Sequence, residues 1–508
     1  MKKIILYLFA IALFLGTMSC ATENGDPVTQ TTESVAVGIP STDVSEPLPS
    51  GDAAGDAVSM TGSVSYIRLG STIETEGPGV TVNGNIIYIA AAGNYSVSGT
   101  LADGQIVANC KGGVIYLELA GADITNSTGP AIYSPDAEDL ILLLKEDTVN
   151  RVADGQTYKD AEMKGTIFCE DDLTIRGNGT LLVTGNNRHG IAGDDSMRIE
   201  GGNITVLSAV TDALHANDDI TITGGKLSLT ADSDGIESEL TVHIAGGILT
   251  IDALDDAIHA ETDLIIDGGV IDVVRSYEGL EGKNQILIND GNIRLLCDDD
   301  AINAGVYAEI NGGTIYADCN GDGLDSNGNL TINGGLIVVF AGNNANGPID
   351  IGDRGASFVI NGGTVLATGG NMGISVSNSS LQRSLWIGSR LNANTLLHIA
   401  DADGKEILSC LLPKSSSLLF FSSGEFQANA DYTITTGGSH SGTLTDGIYL
   451  DGVHSGGTVL GSVTMSSVSA TLGQAGGGMG GWGDFDPGEG DRRPGRPGAR
   501  MAATASAT

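Results

Sequence analysis

Carboxylates that return at a fixed interval are the side chains of this chain best placed to do chemistry. A five-residue phrase recurs six times between Thr211 and Asn327. It begins Asp212-Ala213-Leu214-His215-Ala216 and Asp234-Gly235-Ile236-Glu237-Ser238, continues through Asp256, Glu278 and Asp300, and ends at Asp322-Gly323-Leu324-Asp325-Ser326. The step is 22 residues each time. The first position is always acidic: Asp212, Asp234, Asp256, Glu278, Asp300 and Asp322. Three residues on stand His215, Glu237, His259, Glu281, Asn303 and Asp325. Further acids crowd the same stretch, namely Asp232, Asp255, Asp298 and Asp299.

If successive copies stack at the strand spacing of about 4.8 Å, each position becomes a column. Neighbouring carboxylates then repel by roughly 1 kcal/mol per pair in water, and by more where water is thinned. Calcium resolves the conflict, because it takes six to eight oxygens at about 2.3–2.6 Å with loose geometry. The metal ligands predicted on this ground are Asp212, Asp234, Asp256, Glu278, Asp300, Asp322, Glu237, Glu281, Asp325, Asp232, Asp255 and Asp299. A structural alternative is that each acid caps its turn by accepting backbone N–H groups. That accounts for one acid per turn and less well for two columns. His215 and His259 lie two copies apart, which favours hydrogen-bonding roles over zinc ligation.

The elements that must hold these columns follow from a second marker in the same phase. Gly224-Gly225, Gly246-Gly247, Gly268-Gly269, the variant Asp290-Gly291, Gly312-Gly313 and Gly334-Gly335 each fall ten residues after the aliphatic centre of a phrase. Within one copy the apolar residues alternate, as in Ile258 and Ala260, Leu264 and Ile266, then Ile271 and Val273. Period two inside short segments and 22 overall describe stacked units. The chain is predicted to be all-β: a right-handed single-stranded parallel β-helix with 22-residue coils, followed by a small C-terminal β domain. Asn289, Asn311, Asn333 and Asn361 precede the glycine markers and are expected to form an amide ladder.

The organisation predicted along the chain runs as follows. Residues 1–19 form a signal peptide, with Met1-Lys2-Lys3 ahead of an apolar run from Ile4 to Leu15. Cys20, after a small residue, resembles a bacterial lipoprotein cleavage site, although the third residue before it is Thr17 where Leu is usual. Lipidation at Cys20 and a flexible tether over 20–60 are expected. The membrane is thus a partner through the lipid anchor only, and the expected location is the bacterial cell envelope, at the cell surface, after secretion across the inner membrane. Irregular β coils or a cap fill 61–165, with strand runs at Ile86–Ile89, Val114–Leu119 and Leu140–Leu144. Regular coils fill 166–380, a C-terminal β domain 381–470, and a disordered Gly/Pro/Arg-rich tail 471–508.

The net charge of −39, from 63 acids against 24 Lys and Arg, argues against nucleic acid, which requires a basic face. Cys110, Cys169, Cys297, Cys319 and Cys410 are odd in number and show no metal-ligand spacing. Cys297 and Cys319 are one coil apart and read as small buried hydrophobes.

The phased Asp-Gly/Ala-Ile/Leu turns, the Asn-Gly-Gly turns, the secretion signal and the trailing β domain resemble the polysaccharide-lyase-like parallel β-helix proteins of the clostridial cellulose- and pectin-binding type. The resemblance covers about residues 64–470. It implies an extracytoplasmic, calcium-containing carbohydrate-binding protein that prefers acidic sugar polymers such as polygalacturonate, with cellulose as a further ligand. Cellulose stacking has little support in the composition, since Trp386 is the only tryptophan before the tail and aromatics are 5%. Tyr277, Tyr307 and Tyr316 read first as ordinary strand or turn residues. An alternative is an active pectate-type lyase working by calcium-assisted β-elimination. That chemistry needs a base, for which Lys283 is the best-placed candidate, with Arg188 and Arg275 further off. A third reading is a surface adhesin that uses calcium for rigidity. A monomer is expected in each case.

Overall fold

The computed structural model describes residues 60, 62–343, 346–352 and 355–474. The signal segment, Cys20, the tether up to residue 59 and the tail from residue 475 lie outside them.

The alternation read from the sequence becomes a parallel β-solenoid of about 11 turns. Each regular coil has three strands. The coil that begins at His259's strand is Ile258–Ala260, Asp263–Ile266 and Val270–Ser276. Each strand pairs in parallel with its equivalent one coil away. Leu214 aligns with Ile236, Ile258, Leu280, Ile302, Leu324 and finally Ile349. These inward side chains are at most 1% exposed. They form one continuous apolar column, so the hydrophobic effect acts along the whole solenoid axis. Because every strand is short and lies between two neighbours, its backbone groups are satisfied by the coils above and below.

Two further columns follow the sequence phase. The Asn311 amide donates to Asn289 Oδ1 at 2.8 Å, Asn333 to Asn311 at 2.7 Å and Asn361 to Asn333 at 2.8 Å. Beside this ladder the second glycine of each marker adopts positive φ. At Gly313 (φ 81°) an added Cβ would also sit 2.7 Å from the Gly291 carbonyl oxygen. The turn therefore requires glycine twice over, for conformation and for clearance. Cys297 and Cys319 align on adjacent strands as buried free thiols.

Residues 64–154 continue the solenoid less regularly. The long strand Gln105–Asn126 pairs with Ile132–Leu144, and antiparallel pairs occur between Val64–Leu69 and Glu74–Glu76 and between Val80–Asn83 and Ile86–Ile89. At the other end, Ser416–Ser422 runs antiparallel to the final solenoid strand Thr364–Gly369, placing Phe421 opposite Leu366. This covers an edge that would otherwise expose unpaired backbone groups. A six-stranded sheet adjoins it. Within that sheet, Leu396–Asp401 and Glu406–Leu411 form a hairpin whose turn is held by N–H groups of Asp403 and Lys405 donating to Asp401 Oδ1. Phe340, Leu366, Leu385, Phe421, Tyr432 and Ile434 form its separate core. Arg294 ties this region to the coils. Its guanidinium stacks 4.2 Å from the Tyr316 ring centre and donates to Asp446 at 2.9 Å.

The glycine turns make a direct prediction. Gly313→Ala is expected to cost on the order of 1–3 kcal/mol, read as a lower urea midpoint. Gly112→Ala, where φ is 65° but no atom lies within 4 Å of an added Cβ, should cost about 1 kcal/mol. Equal losses at the two sites would show that clearance at the Asn-Gly-Gly turn plays no part.

Candidate metal centre

Each acidic phrase sits where the chain turns into the first short strand of a coil. The aliphatic centre points into the core and the residue one after it to the other face of the strand, while the residue two before it lies in the turn that leads into the strand. The structure therefore brings the two sequence columns side by side. It also buries them more deeply than a solvated stripe would be. Asp212, Asp234 and Asp256 are 0–3% exposed, and Glu278, Glu281, His215 and His259 at most 7%. Glu237, Asp300, Asp322, Asp325, Asp255 and Asp299 are half-buried, and Asp232 is exposed.

Part of the first column serves the architecture. Asp212 Oδ1 accepts the N–H of Asp234 at 3.2 Å, Asp234 Oδ1 that of Asp256 at 2.8 Å and Asp300 Oδ1 that of Asp322 at 2.6 Å. Asp322 accepts the N–H of Gly347. One oxygen of each of these acids thus caps the turn of the next coil, as the structural alternative anticipated. The other oxygen is available for different work.

The second column supplies positive charge in the earlier coils. His259 Nδ1 lies 2.9 Å from Asp256 Oδ2 and 2.8 Å from Glu281 Oε2. Lys283, itself exposed, is paired with the other oxygen of Glu281. Burial opposes the charge on His259, but hydrogen bonds from Asp256 and Glu281 outweigh it and lift its pKa to about 11. Burial likewise opposes the Glu281 charge, and the His259, Asp256 and Lys283 contacts hold it well below the carboxylate range. His215 lies 3.3 Å from both Asp212 Oδ2 and Glu237 Oε2 and is raised to about 10 by the same balance. Asp234 has less relief, with only the more distant His259 charge opposing its neighbours. Burial, then repulsion from Asp212, Asp256 and Glu237, push its carboxyl well above the ordinary value.

The later coils differ. Burial raises Asp300 to about 7, Asp322 to about 6 and Asp325 to about 8, and neighbouring carboxylates add to it in each case. Asn303 stands where the earlier coils have histidine, and donates to Glu278 Oε2 at 3.0 Å.

Donor atoms close enough to share one ion occur in four groups among the described residues. Two contain only oxygen donors: Asp212, Asp234 and Glu237, and Asp234, Asp255 and Asp256. Two include histidine: Asp256, His259 and Glu281, and His189, Asp212 and His215. Within each group the donors lie within 4.8 Å of one another. An oxygen-only set at that spacing fits a hard cation. Asp300, Asp322, Asp325, Glu278, Asp232 and Asp299 belong to none of these groups.

Two participants escaped the sequence reading. His189 stands two residues before Ile191, so it extends the acidic column backwards, but the coil step there is 23 residues and the position is not acidic. Asp350 aligns with Asp325 one coil on, after a longer step that ends in Gly347 rather than an acid. Other candidates lie apart from the site. Trp386 is 4% exposed and packs against Phe420. Tyr316 is held by Arg294, Tyr307 pairs with Glu309, and Arg275 pairs with Asp252.

Comparison with known proteins bears on this same region. Residues 83–323 match the family described as carbohydrate-binding domain-containing proteins. The resemblance read from the turn motifs is borne out over that segment. It spans both columns from His189 to Asp322. A protein of that description from Acetivibrio thermocellus is 36% identical over 134 residues, 25% of this chain and 47% of the relative. The chain thus spans about half the length of the curated relative it matches. A solved structure described as a polysaccharide lyase-like protein from C. thermocellum, a gadolinium derivative, is 28% identical with a TM-score of 0.40. The alignment covers 51% of this chain and 95% of that one.

The raised carboxyls of the later coils set a pH dependence. Their folded pKa values exceed the unfolded carboxylate value of about 4, so between that value and pH 8 the folded chain holds protons that the unfolded chain has released. Stability contributed by these groups is therefore full at low pH and lost as pH rises through this window. In chelator, Asp325→Asn should raise the melting temperature by a few degrees at pH 8.5 and by little at pH 5. An equal shift at both pH values would contradict the assignment.

Proposed function

We propose that the acidic turn column holds calcium and that this face binds an acidic polysaccharide of the polygalacturonate type outside the cytoplasm. The observation that carries the reading is the pair of oxygen-only groups that share Asp234. Asp234, Asp255 and Asp256 would hold the ion, with Asp212 and Glu237 alongside. Asp234 is the most strained of them electrostatically, since three carboxylates surround it in a buried site. Asp255 is half-exposed, so the group reaches the surface, where a sugar polymer can approach. When bound, calcium supplies the positive charge that attracts a uronate carboxylate toward a face that would otherwise repel it.

The match of residues 83–323 to the carbohydrate-binding family supports the sugar partner, and the coil repeat suits a polymer with a repeat of its own. Among the described residues no exposed tryptophan platform offers recognition by stacking, because Trp386 is in the core. The lyase alternative needs a free base. Lys283, its best candidate, is already engaged by Glu281, so we favour binding over β-elimination. The leader, the Cys20 anchor and a cell-surface location form part of the same proposal, resting on residues 1–20 of the sequence.

Binding to polygalacturonate, followed by affinity electrophoresis, is expected to require calcium and to fall about tenfold or more in Asp234→Asn and Asp255→Asn. The calcium-induced rise in melting temperature should shrink in the same variants. Undiminished binding in excess chelator would overturn the calcium reading. Release of unsaturated sugar ends, seen as new ultraviolet absorbance, would replace binding with catalysis.

A further inference from the structure

The column does not begin with an acid. It begins with His189, and the coil that follows brings His215 over it. The two imidazole rings stack with centroids 4.1 Å apart and planes 14° from parallel. His189 Nδ1 is 2.9 Å from Asp212 Oδ2, and His215 Nδ1 is 3.3 Å from the same oxygen. His215 Nδ1 is also 3.3 Å from Glu237 Oε2. Two successive coils thus bring two nitrogens and one carboxylate oxygen within 4.8 Å of one another, with Glu237 of the next coil against His215. The side chains are 2–15% exposed.

We infer that His189, Asp212 and His215 form a binding site for a divalent transition metal of the zinc class, sharing Asp212 with one of the oxygen-only groups. Zinc binds histidine nitrogen and carboxylate oxygen at about 2.0–2.2 Å in a tetrahedron, whose edges are then about 3.3–3.6 Å. The His189–Asp212 and His215–Asp212 separations of 2.9 and 3.3 Å approach such edges, and the three donors lie within 4.8 Å of one another. Coordination asks one ring to swing out of the stack, because a metal lies in the plane of each imidazole it binds. Nitrogen donors select transition metals over calcium, which prefers oxygen alone. A divalent ion also balances the two carboxylates with both rings neutral.

The surroundings support the same assignment. A metal-bound histidine characteristically gives its other ring N–H to an oxygen that fixes its orientation. His215 Nε2 lies 3.3 Å from Asn217 Oδ1. The Asn217 amide is itself oriented, because Lys164 donates to its oxygen at 3.4 Å and its nitrogen donates to Asp194 at 3.4 Å. Lys164 and Asp194 are paired with each other. With a proton on Nε2, the His215 Nδ1 lone pair faces Asp212 and Glu237, which is the arrangement a metal fills. Thr211 Oγ1, 2.9 Å from His189 Nδ1, is the competing partner that an ion would displace. The three donors come from two successive coils, so an ion held there would staple those coils at the start of the acidic column.

The test uses the mature chain, stripped with chelator, given zinc in the presence of excess calcium, desalted and assayed by mass spectrometry for metal. About one zinc per chain is expected to remain, with a higher melting temperature. His189→Gln with His215→Gln should reduce retained zinc about tenfold or more, while His243→Gln, an exposed histidine paired with Asp267, should retain it. Asn217→Ala keeps all three donors and should weaken zinc affinity about 10–100-fold, which decides the matter if the double variant does not fold. Cobalt in place of zinc should give the intense visible absorption of a tetrahedral centre. No retained zinc in the parent chain, or retention in the double variant and in Asn217→Ala equal to that of the parent, would overturn the site. The calcium reading is tested by sugar binding in Asp234→Asn and Asp255→Asn, and neither residue is a zinc donor, so either can fail alone.

Discussion

Everything distinctive in this molecule depends on the cost of stacking like charges at the spacing of β-strands. A parallel solenoid copies each position into a column with its neighbours about 4.8 Å away. For apolar residues this is cooperative, and the Leu214-to-Ile349 column needs nothing more. For carboxylates it is adverse, and burial makes it worse. The structure answers in several ways along one line. Backbone N–H groups of the following coil cap Asp212, Asp234, Asp300 and Asp322. Imidazoles at His215 and His259 interleave with acids in the adjacent column. Where neither suffices, as around Asp234, carboxylates converge closely enough for a cation.

The acidic column is thus both architecture and candidate site, and these roles use different atoms of the same side chains. The Oδ1 atoms of Asp212 and Asp234 hold the next turn, and Oδ2 of Asp212 meets the histidines. Such a division explains how a repeat can preserve a costly residue for structural reasons while leaving a reactive edge. It also means that removing one of these carboxylates loosens a turn as well as a ligand set, so Asn is the informative replacement. It retains an oxygen for the backbone while losing the charge.

Much of the fold was legible in the sequence because a repeat states the same constraint many times. The 22-residue step, the alternation inside each coil, the Asn-Gly-Gly turns and their amide ladder all reappear at the predicted residues. The site was legible only in part. Columns can be read from spacing, but depth cannot, because the burial of Asp256 or Glu281 is created by flanking turns and by neighbours one coil away. His189 was hidden by a coil one residue longer and by the change from acid to base. Asp350 was hidden by the irregular coil before it. Trp386 carried no periodic signal, so nothing in its context showed that Phe420 would bury it.

The placement of the histidines gives the array a direction. Nitrogen bases cluster where the column starts, mixed groups follow, and the later coils offer carboxylates with Asn303 in the place of a base. A perfectly repeated ladder would look the same to a polymer laid along it either way. This one does not. A chain with distinguishable ends would meet a different electrostatic sequence in each orientation, so the gradual replacement of His by Asn and Asp turns a stack of equivalent coils into a ruler with a marked end.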